Sequence, residues 1–380
     1  MSRILYCAID QTVPGTRGGS VHVTAVADGL EALGHEVHVL VAPGEGPFPQ
    51  GRVHWIPMAP PLGAAQLRWA RRRAVRAIAE RLRPDVVMER YYNFGGEGIV
   101  NAARVNALAV LEVNAPVVDY PGSSKALLDR ALIARPMQRW RERLCRLSDV
   151  IVTPSANILP HGTPREKIVE LEWGADTLRF RPGATGPLPF TRPPAGVVAV
   201  FAGAFRSWHG AINLARAIRT LHSRGRTDIG AVFIGDGPEL PAVRAEAAGL
   251  DHVVFTGPVP HERMPACLAA ADVGVAPFDL EAHKPLSLGF YWSPLKIFEY
   301  MSSGLPIVAP AAGRIPQLVE GGVEGLLYQP AAPVDGLADA IVRLCDASLR
   351  QRLGSAARER AIREYSWRAH CEALDRAMRR

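Results

Sequence analysis

The sequence predicts an α/β protein built from two Rossmann-like, doubly wound domains. Short apolar runs that suit buried strands alternate with amphipathic helical stretches, a pattern typical of parallel sheets. The stretch 181–196, RPGATGPLPFTRPPAG, is rich in Pro and Gly and separates two such series. A chain of 380 residues is long enough for two or three domains. We therefore expect a first domain at 1–182, a linker at 183–196 and a second domain at 197–360.

The first series opens as a β-loop-α-β unit. Strands are predicted at Ile4–Ile9, Glu36–Val41, Asp85–Met88, Leu108–Val113, Val150–Thr153 and Val169–Leu171, and helices at Val21–Leu33, Gln66–Leu82 and Arg135–Leu147. The loop before the first helix ends in Gly18-Gly19-Ser20, where a ligand could approach the backbone closely. No GxGxxG follows the first strand, which disfavours a dinucleotide-dependent dehydrogenase.

The second series has the same alternation. Strands are predicted at Val197–Ala202, Ala231–Ile234, Val253–Phe255, Val273–Ala276, Leu305–Ala309 and Gly325–Leu327. The segment Ser348–Arg380 is predicted to form two helices with a break near Tyr365-Ser366-Trp367. In sheets of this type, ligands bind at the carboxyl ends of the strands.

A short helix with a loop at its start is predicted just after Ser293. Ser293 is a good N-cap, Pro294 a good first residue, and Gly304 can end the helix in the left-handed conformation. Leu295, Phe298 and Met301 recur at helical spacing and can face a core. The start of such a helix presents free N–H groups, which favour an anion.

Lys296 and Glu299 indicate what that anion is. Lys296 falls in the first turn, where the helix dipole disfavours a cation by about 0.3–1 kcal/mol unless an anion is bound. Glu299 follows three residues later on the same side. A sugar nucleotide would suit both groups, with phosphates on Lys296 and ribose hydroxyls on Glu299. An i,i+3 ion pair on a surface helix is the alternative.

Composition excludes several classes of function. The net charge is +7, but 40 of the 44 basic residues are Arg and no aromatic residues interleave with a basic patch, so we expect no nucleic-acid partner. Helix 66–82 is basic and amphipathic; a solvated outer helix is favoured over association with a membrane surface. No apolar run reaches 18 residues, and the five scattered cysteines suit reduced thiols, so a cytoplasmic protein is expected.

The order of several short motifs resembles that of family 4 glycosyltransferases, which have the GT-B fold. These motifs are Gly18-Gly19-Ser20, Trp173-Gly174-Ala175-Asp176 with Phe180 and Pro182, Gly203 to Gly210, Gly235-Asp236-Gly237-Pro238, Phe255-Thr256-Gly257, and Glu299 followed by Met301, Gly304 and Pro306. Each motif is weak alone, but their order and spacing over nearly the whole chain are specific. The resemblance implies two Rossmann-like domains facing a cleft, with a C-terminal helix at 361–380 that crosses back to the first domain.

The resemblance also implies the substrates. The donor would be a UDP-, GDP- or other nucleotide-sugar, held mostly by the second domain, and the acceptor, a small molecule or a glycan, would bind the first domain. The reaction would retain anomeric configuration and use no metal or other cofactor. Glu299 matches the carboxylate that binds the ribose, and the backbone around Val259 would meet the base. The other donor-binding candidates are Gly18, Gly19, Gly203, His209, Gly235 and Gly237.

The chain departs from the family pattern in its charged groups. Tyr291 stands eight positions before Glu299, where many members have a second Glu. Asp279, Glu281 or His283 could take over its contacts to the donor sugar. The usual Arg and Lys of the 203–210 loop are replaced by Ala204 and His209, and Arg206 and Lys296 are expected to supply the missing positive charge.

The candidates on the acceptor side are less specific. The histidine that often lies near the reacting sugar in this family is not evident, and Asn114 occupies roughly its place. Glu89 and Glu112 are candidate acceptor contacts, with ordinary polar groups at strand ends as the alternative.

The mechanism implied by the resemblance is front-face substitution. The departing diphosphate helps to take the acceptor proton, and the enzyme acts by positioning and by stabilising charge on the leaving group. Arg206, Lys296 and Asn114 are the catalytic candidates. Two other functions stay open: a nucleotide-sugar epimerase, which would need acid–base groups facing the sugar, and a nucleotide-sugar-binding protein without activity.

Overall fold

The computed structural model describes residues 1–15, 17–132 and 135–379. Its strands are β1 (Arg3–Val13), β2 (Glu36–Pro43), β3 (His54–Pro57), β4 (Val86–Arg90), β5 (Leu108–Glu112), β6 (Val150–Thr153), β7 (Ile168–Glu170), β8 (Val197–Ala202), β9 (Ile229–Ile234), β10 (Val253–Gly257), β11 (Val273–Val275), β12 (Ile307–Pro310) and β13 (Gly325–Tyr328). Its α-helices are α1 (Gly18–Ala32), α2 (Arg72–Leu82), α3 (Ile99–Ala102), α4 (Ser124–Ala131), α5 (Pro136–Leu147), α6 (Ala211–Ser223), α7 (Leu240–Glu246), α8 (Met264–Ala269), α9 (Leu295–Ser302), α10 (Ile315–Leu318), α11 (Pro333–Arg343), α12 (Ala347–Glu364) and α13 (Trp367–Met378).

The chain forms two compact units, each around one parallel sheet. The first unit contains Met1–Trp173, Tyr291–Ser293 and Trp367–Arg380, with strand order β3-β2-β1-β4-β5-β6-β7. Its core packs the buried apolar residues of these strands against α1 and α13, where Cys371 lies against Gly29. The strand order reverses direction between β1 and β4, as in a doubly wound fold.

The second unit contains Gly174–Phe290 and Pro294–Ser366, with strand order β10-β9-β8-β11-β12-β13. All of its strand pairs are parallel, and β8 and β9 are buried along their whole length. The order reverses between β8 and β11, so this is its topological switch point. The two-domain Rossmann-like α/β class predicted from the sequence is confirmed.

Several elements differ from the sequence prediction. β1 continues to Val13 through residues that we expected in a loop, and β3 adds an edge strand that was not predicted. The predicted helix 66–82 is a 3₁₀ segment, Ala65–Arg71, followed by α2. Arg68, which we expected on a solvated face, is fully buried among Asp10, Glu89 and Glu97. A fully buried Arg is stable only when it is paired with a carboxylate. The helical periodicity of the sequence does not reveal which carboxylates those are.

The expected linker at 183–196 is grouped with the second unit. Arg192 explains why: its Nε donates to the Ala270 carbonyl and its guanidinium pairs with Asp272 at 2.6 Å. The chain instead changes unit between Trp173 and Gly174, and again after α12, which ends at Glu364. The predicted helix break near Tyr365 is confirmed.

The start of α9 also differs in detail. Ser293 does not cap the helix; its hydroxyl accepts from the Trp173 N–H and donates to Glu172 at 2.7 Å. The helix begins at Leu295, which is half-buried, while Phe298 and Met301 are buried as predicted. Gly304 follows the helix at φ 74°, the left-handed conformation predicted. Within the described ranges, no helix combines the length and the apolar character that crossing a bilayer requires.

Candidate functional site

The carboxyl ends of β8, β9 and β10 in the second unit bring together most of the predicted donor-binding residues. Gly203 follows β8, Gly235 and Gly237 follow β9, and the half-buried Val259 lies in the loop after β10. The loop after β8 borders the switch point, where doubly wound sheets bind their ligands, and the loops after β9 and β10 follow it along the same edge of the sheet. Gly18 and Gly19 belong to the first unit, where they form the first residues of α1.

Lys296 is the central cation of this site. Its Nζ lies 4.3 Å from the centre of the Phe201 ring and 5.1 Å from that of Phe278. The Nζ atom is buried and has no hydrogen-bond partner within the described part of the chain. Burial lowers the pKa of Lys296 to about 7, although the Glu299 carboxylate acts in the opposite direction. Two aromatic faces stabilise the ammonium only weakly, so the charged form needs an anion, and residues 1–15, 17–132 and 135–379 do not supply one.

Glycines keep the space beside Lys296 open. A Cβ on Gly203, whose φ is 139°, would lie 3.2 Å from Nζ of Lys296. A Cβ on Gly235 would lie 2.0 Å from the Gly203 carbonyl oxygen, and one on Gly237 would lie 2.7 Å from the Phe205 backbone. The loops after β8 and β9 are therefore in backbone contact. A side chain at position 203 would press on the ammonium of Lys296, and glycine avoids this.

The two other groups of the 203–210 loop differ in charge. The Nδ1 of His209 bonds the Ala204 carbonyl oxygen, so it must carry the proton. Burial, and then the Lys296 cation, lower the pKa of His209 to about 3. His209 is therefore neutral near pH 7 in the free protein. Arg206 is exposed, with its Cζ 5.8 Å from the centre of the Trp208 ring, and supplies a permanent positive charge at the mouth of the loop.

Glu299 lies on the same helix as Lys296 but does not neutralise it. Its Oε1 is 3.1 Å from Nε2 of His261, and this hydrogen bond raises the pKa of His261. Among the described residues, Oε2 of Glu299 has no partner and is available to a ligand. The surface ion pair between Lys296 and Glu299, the alternative left open by the sequence, is not formed. His261 was not predicted as a site residue, because it lies outside the recognised motifs.

The three candidate contacts to the donor sugar, which follow β11, have different environments. Asp279 is occupied, because its Oδ1 accepts the N–H groups of Glu281 and Ala282 and its own N–H donates to the Trp208 carbonyl. His283 stacks on Trp208 with ring centres 3.9 Å apart. Glu281 is exposed and forms no ion pair within the described ranges. Glu281 is therefore the carboxylate best placed to meet a ligand.

The predicted acceptor contact Glu112 is a buried structural group of the first unit. It accepts hydrogen bonds from Tyr6, Arg90 and Asn114, and pairs with His22. Burial alone would raise the pKa of Glu112, but His22 and Arg90 together hold it well below its usual range. Glu112 is therefore engaged within the protein, and its contact with an acceptor stays a prediction.

Asn114 is also engaged, although it remains half-buried. Its amide nitrogen donates to Glu112, and its Oδ1 accepts from Nε1 of Trp173 at 2.8 Å. Trp173 in turn stacks on His22, with ring centres 4.3 Å apart. The structure thus gives Asn114 a positioning role in this buried network, rather than a free amide that points at a substrate.

Glu89, the other candidate contact to the acceptor, is fully buried. Its carboxylate accepts the backbone N–H groups of Gly96, Gly98 and Ile99, and so shapes the loop before α3. Burial raises the pKa of Glu89 to about 8. Tyr291, at the position of the missing Glu, is buried in the first unit, and burial raises its pKa to about 12.

The first unit contains a polar cavity that the sequence did not predict. Its volume is about 390 Å³, and it lies among the loops that follow β5 and β6 and the helices α4 and α5. Its polar lining includes Asp119, Arg130, Arg135, Gln138, Glu142 and His161. The buried Arg141 pairs with Asp119 at 3.0 Å and with Asp129 at 3.3 Å. These residues belong to no recognised motif, so no signal in the sequence marked them.

Comparison with known proteins gives a consistent family. Residues 16–177 match the family model described as Glycosyltransferase Family 4, and residues 196–347 match Glycosyl transferases group 1. A GDP-mannose-dependent alpha-mannosyltransferase of Mycobacterium tuberculosis is 29% identical over 385 residues, which cover 95% of this chain and 92% of that protein. The sulfoquinovosyl transferase SQD2 of Arabidopsis thaliana is 36% identical over 140 residues, 36% of this chain, and the match spans only 25% of that protein.

Solved structures show the same fold. The structure of HepE from Anabaena in complex with UDP-glucose superposes with a TM-score of 0.69, covering 100% of both chains at 18% identity. Identity at this level supports the fold and not the substrate.

Proposed function

Because the chain belongs to glycosyltransferase family 4, we propose that it transfers a sugar, with retention of configuration, from a nucleotide-diphosphate-sugar to an acceptor hydroxyl. The observation that carries the proposal is Lys296 at the switch point of the second sheet, a buried cation that no anion among the described residues contacts. The relative named above uses GDP-mannose, and the neighbouring structure holds UDP-glucose. Both are donors with a diphosphate, the anion that Lys296 lacks.

The candidate site residues of the second unit have distinct roles in this proposal. Lys296 and the exposed Arg206 bind the diphosphate and stabilise the charge that grows on it as the glycosidic bond breaks. Glu299 binds the ribose hydroxyls through Oε2, while His261 holds Oε1. The backbone near Val259 meets the base, and Glu281 contacts the donor sugar. The diphosphate accepts the proton of the acceptor hydroxyl. The transfer uses no metal in this proposal and is expected to proceed in EDTA.

The polar cavity of the first unit is the acceptor site in this proposal. Carboxylates, an amide and two guanidinium groups line it, which suits an acceptor with several hydroxyl groups, such as a glycan precursor or a polyhydroxylated specialised metabolite. The proposal gives Glu89 and Glu112 no contact with the acceptor, because their oxygens accept hydrogen bonds within the first unit.

Kinetics on matched variants test the proposal. Lys296→Met and Arg206→Ala should each lower kcat/KM with the nucleotide-sugar by more than they weaken binding of the nucleoside without phosphates, since their contacts strengthen in the transition state. Glu299→Gln is the counterpart: it should weaken nucleoside and nucleoside diphosphate alike, by about 1–3 kcal/mol, because both carry the ribose. Equal losses for nucleoside and donor in Lys296→Met, or no loss at all, would show that the diphosphate binds elsewhere.

A further inference from the structure

Two histidines and a glutamate cluster at the amino-terminal ends of β2 and β3 in the first unit. Glu36 opens β2, His38 follows two residues later, and His54 opens β3. Alternate residues of a strand share a face, and His38 and His54 are direct partners in the parallel register. The three side chains therefore stand on one face of the sheet. One nitrogen or carboxylate oxygen from each lies within 4.8 Å of the others.

The contacts within the cluster leave one carboxylate oxygen facing the histidines. Arg3 donates from Nε to Oε2 of Glu36 at 2.9 Å, while Oε1 lies 2.8 Å from Nε2 of His38. The rings of His38 and His54 stack with centres 4.5 Å apart and planes 16° from parallel.

We propose that Glu36, His38 and His54 bind Zn²⁺ or another divalent transition metal. Two imidazole nitrogens and one carboxylate oxygen are ligands that such metals accept, with water in the remaining position. The metal would take the place of the hydrogen bond between Nε2 of His38 and Oε1 of Glu36, with the imidazole hydrogen on Nδ1. Arg3 holds the carboxylate from behind, as outer hydrogen bonds do for metal ligands.

Access and ring orientation are compatible with this site. His54 is exposed on the edge strand, so a metal can enter from solvent. Its ring must turn out of the stack to direct a nitrogen at a metal already held by Glu36 and His38. An exposed side chain can make that change between staggered rotamers at little cost.

The site is separate from the transfer chemistry. It lies at the amino ends of its strands, whereas the proposed acceptor cavity follows the carboxyl ends of β5 and β6. A metal there would join the four-residue edge strand β3 to β2. Its expected effect is on stability, because a ligand that binds only the folded state stabilises it.

Titration of the tag-free protein with ZnCl₂ tests the inference. Calorimetry should show binding, and Zn²⁺ should raise the unfolding temperature, whereas Mg²⁺ and Ca²⁺, which prefer oxygen ligands, should do neither. His54→Ala and His38→Ala should each weaken this binding by more than about tenfold, the loss typical even of outer contacts. Both variants are first compared with the parent protein without metal, so that a folding defect is recognised.

A second histidine pair supplies the matched control. His222 and His252 stack with ring centres 5.1 Å apart, and His222 is exposed as His54 is. Among the described residues they belong to no group with a third ligand. His222→Ala should therefore leave Zn²⁺ binding unchanged. Zn²⁺ binding that persists in His54→Ala, that is lost equally in His222→Ala, or that is absent from the parent protein would overturn the inference.

Discussion

Lys296 is a cation that the free protein holds at a cost. Its pKa of about 7 lies below the ordinary lysine value of 10.5, so between these values the unfolded chain binds more protons than the folded one. The stability of the ligand-free protein should therefore rise as the pH rises through this window. A bound diphosphate would reverse the situation, because an adjacent anion favours the charged amine.

This reversal predicts proton uptake on binding. At about pH 8, the free protein holds Lys296 mostly neutral, and a nucleoside diphosphate should raise its pKa and draw in up to about one proton. Calorimetry in two buffers with different ionisation enthalpies measures the uptake. The nucleoside without phosphates should bind without it, and Lys296→Met should abolish it. Uptake that survives in Lys296→Met would assign the proton to another group.

For single residues, some roles could be predicted from the sequence and others could not. Lys296 was identifiable because a lysine in a first helical turn is unfavourable without an anion. The burial of Glu89 and Glu112 was not predicted, because a carboxylate at a strand end looks the same in sequence whether it meets a ligand or a group of the protein. His261 and Arg68 are defined by partners far away in the chain, 38 residues for His261 with Glu299 and 58 for Arg68 with Asp10, and no local pattern shows these contacts.

At the scale of elements, the loops after β8 and β9 contact each other. Their glycines allow two backbones to touch beside Lys296, with Gly235 at φ 124° against the Gly203 carbonyl. The sequence predicted glycine-rich loops at these strand ends, since strand and loop alternate clearly there. It missed β3, because a four-residue edge strand has too little periodicity to detect.

Gly235→Ala should disturb the donor site through this contact. The new Cβ would lie 2.0 Å from the Gly203 oxygen, so the two loops must separate and affinity for the nucleoside diphosphate should fall at least about tenfold. Gly249→Ala is the control: it has φ 78° but nothing within 4 Å, so it should cost only about 1–2 kcal/mol of stability for its backbone. Titrations and denaturant unfolding of both variants separate the effects. If both variants bound the nucleoside diphosphate with equal affinity, the contact between the two loops would not matter for donor binding.

The whole chain divides into two units whose sequence limits were only partly predictable. The two series of alternating elements gave two parallel sheets, but composition placed the boundary at 183–196, within the second unit. Pro and Gly indicate irregular backbone, not where contacts cease, and Arg192 fastens this segment to Asp272. The return of α13 to the first unit depends on packing such as that of Cys371 on Gly29, which only the folded chain shows.

If the first unit binds the acceptor, its cavity can be altered without changing donor chemistry. Arg130→Ala removes an exposed guanidinium from the cavity lining and should raise KM for the acceptor about tenfold or more, since a hydrogen bond to a charged group contributes about 1.5–3 kcal/mol. Hydrolysis of the nucleotide-sugar without acceptor should not change.

Arg139→Ala is the matched control, because Arg139 is also exposed but does not line the cavity. Steady-state kinetics with acceptor varied at saturating donor measure both variants. An unchanged acceptor KM in Arg130→Ala, or an equal rise in Arg139→Ala, would place the acceptor outside this cavity while leaving the donor assignment intact.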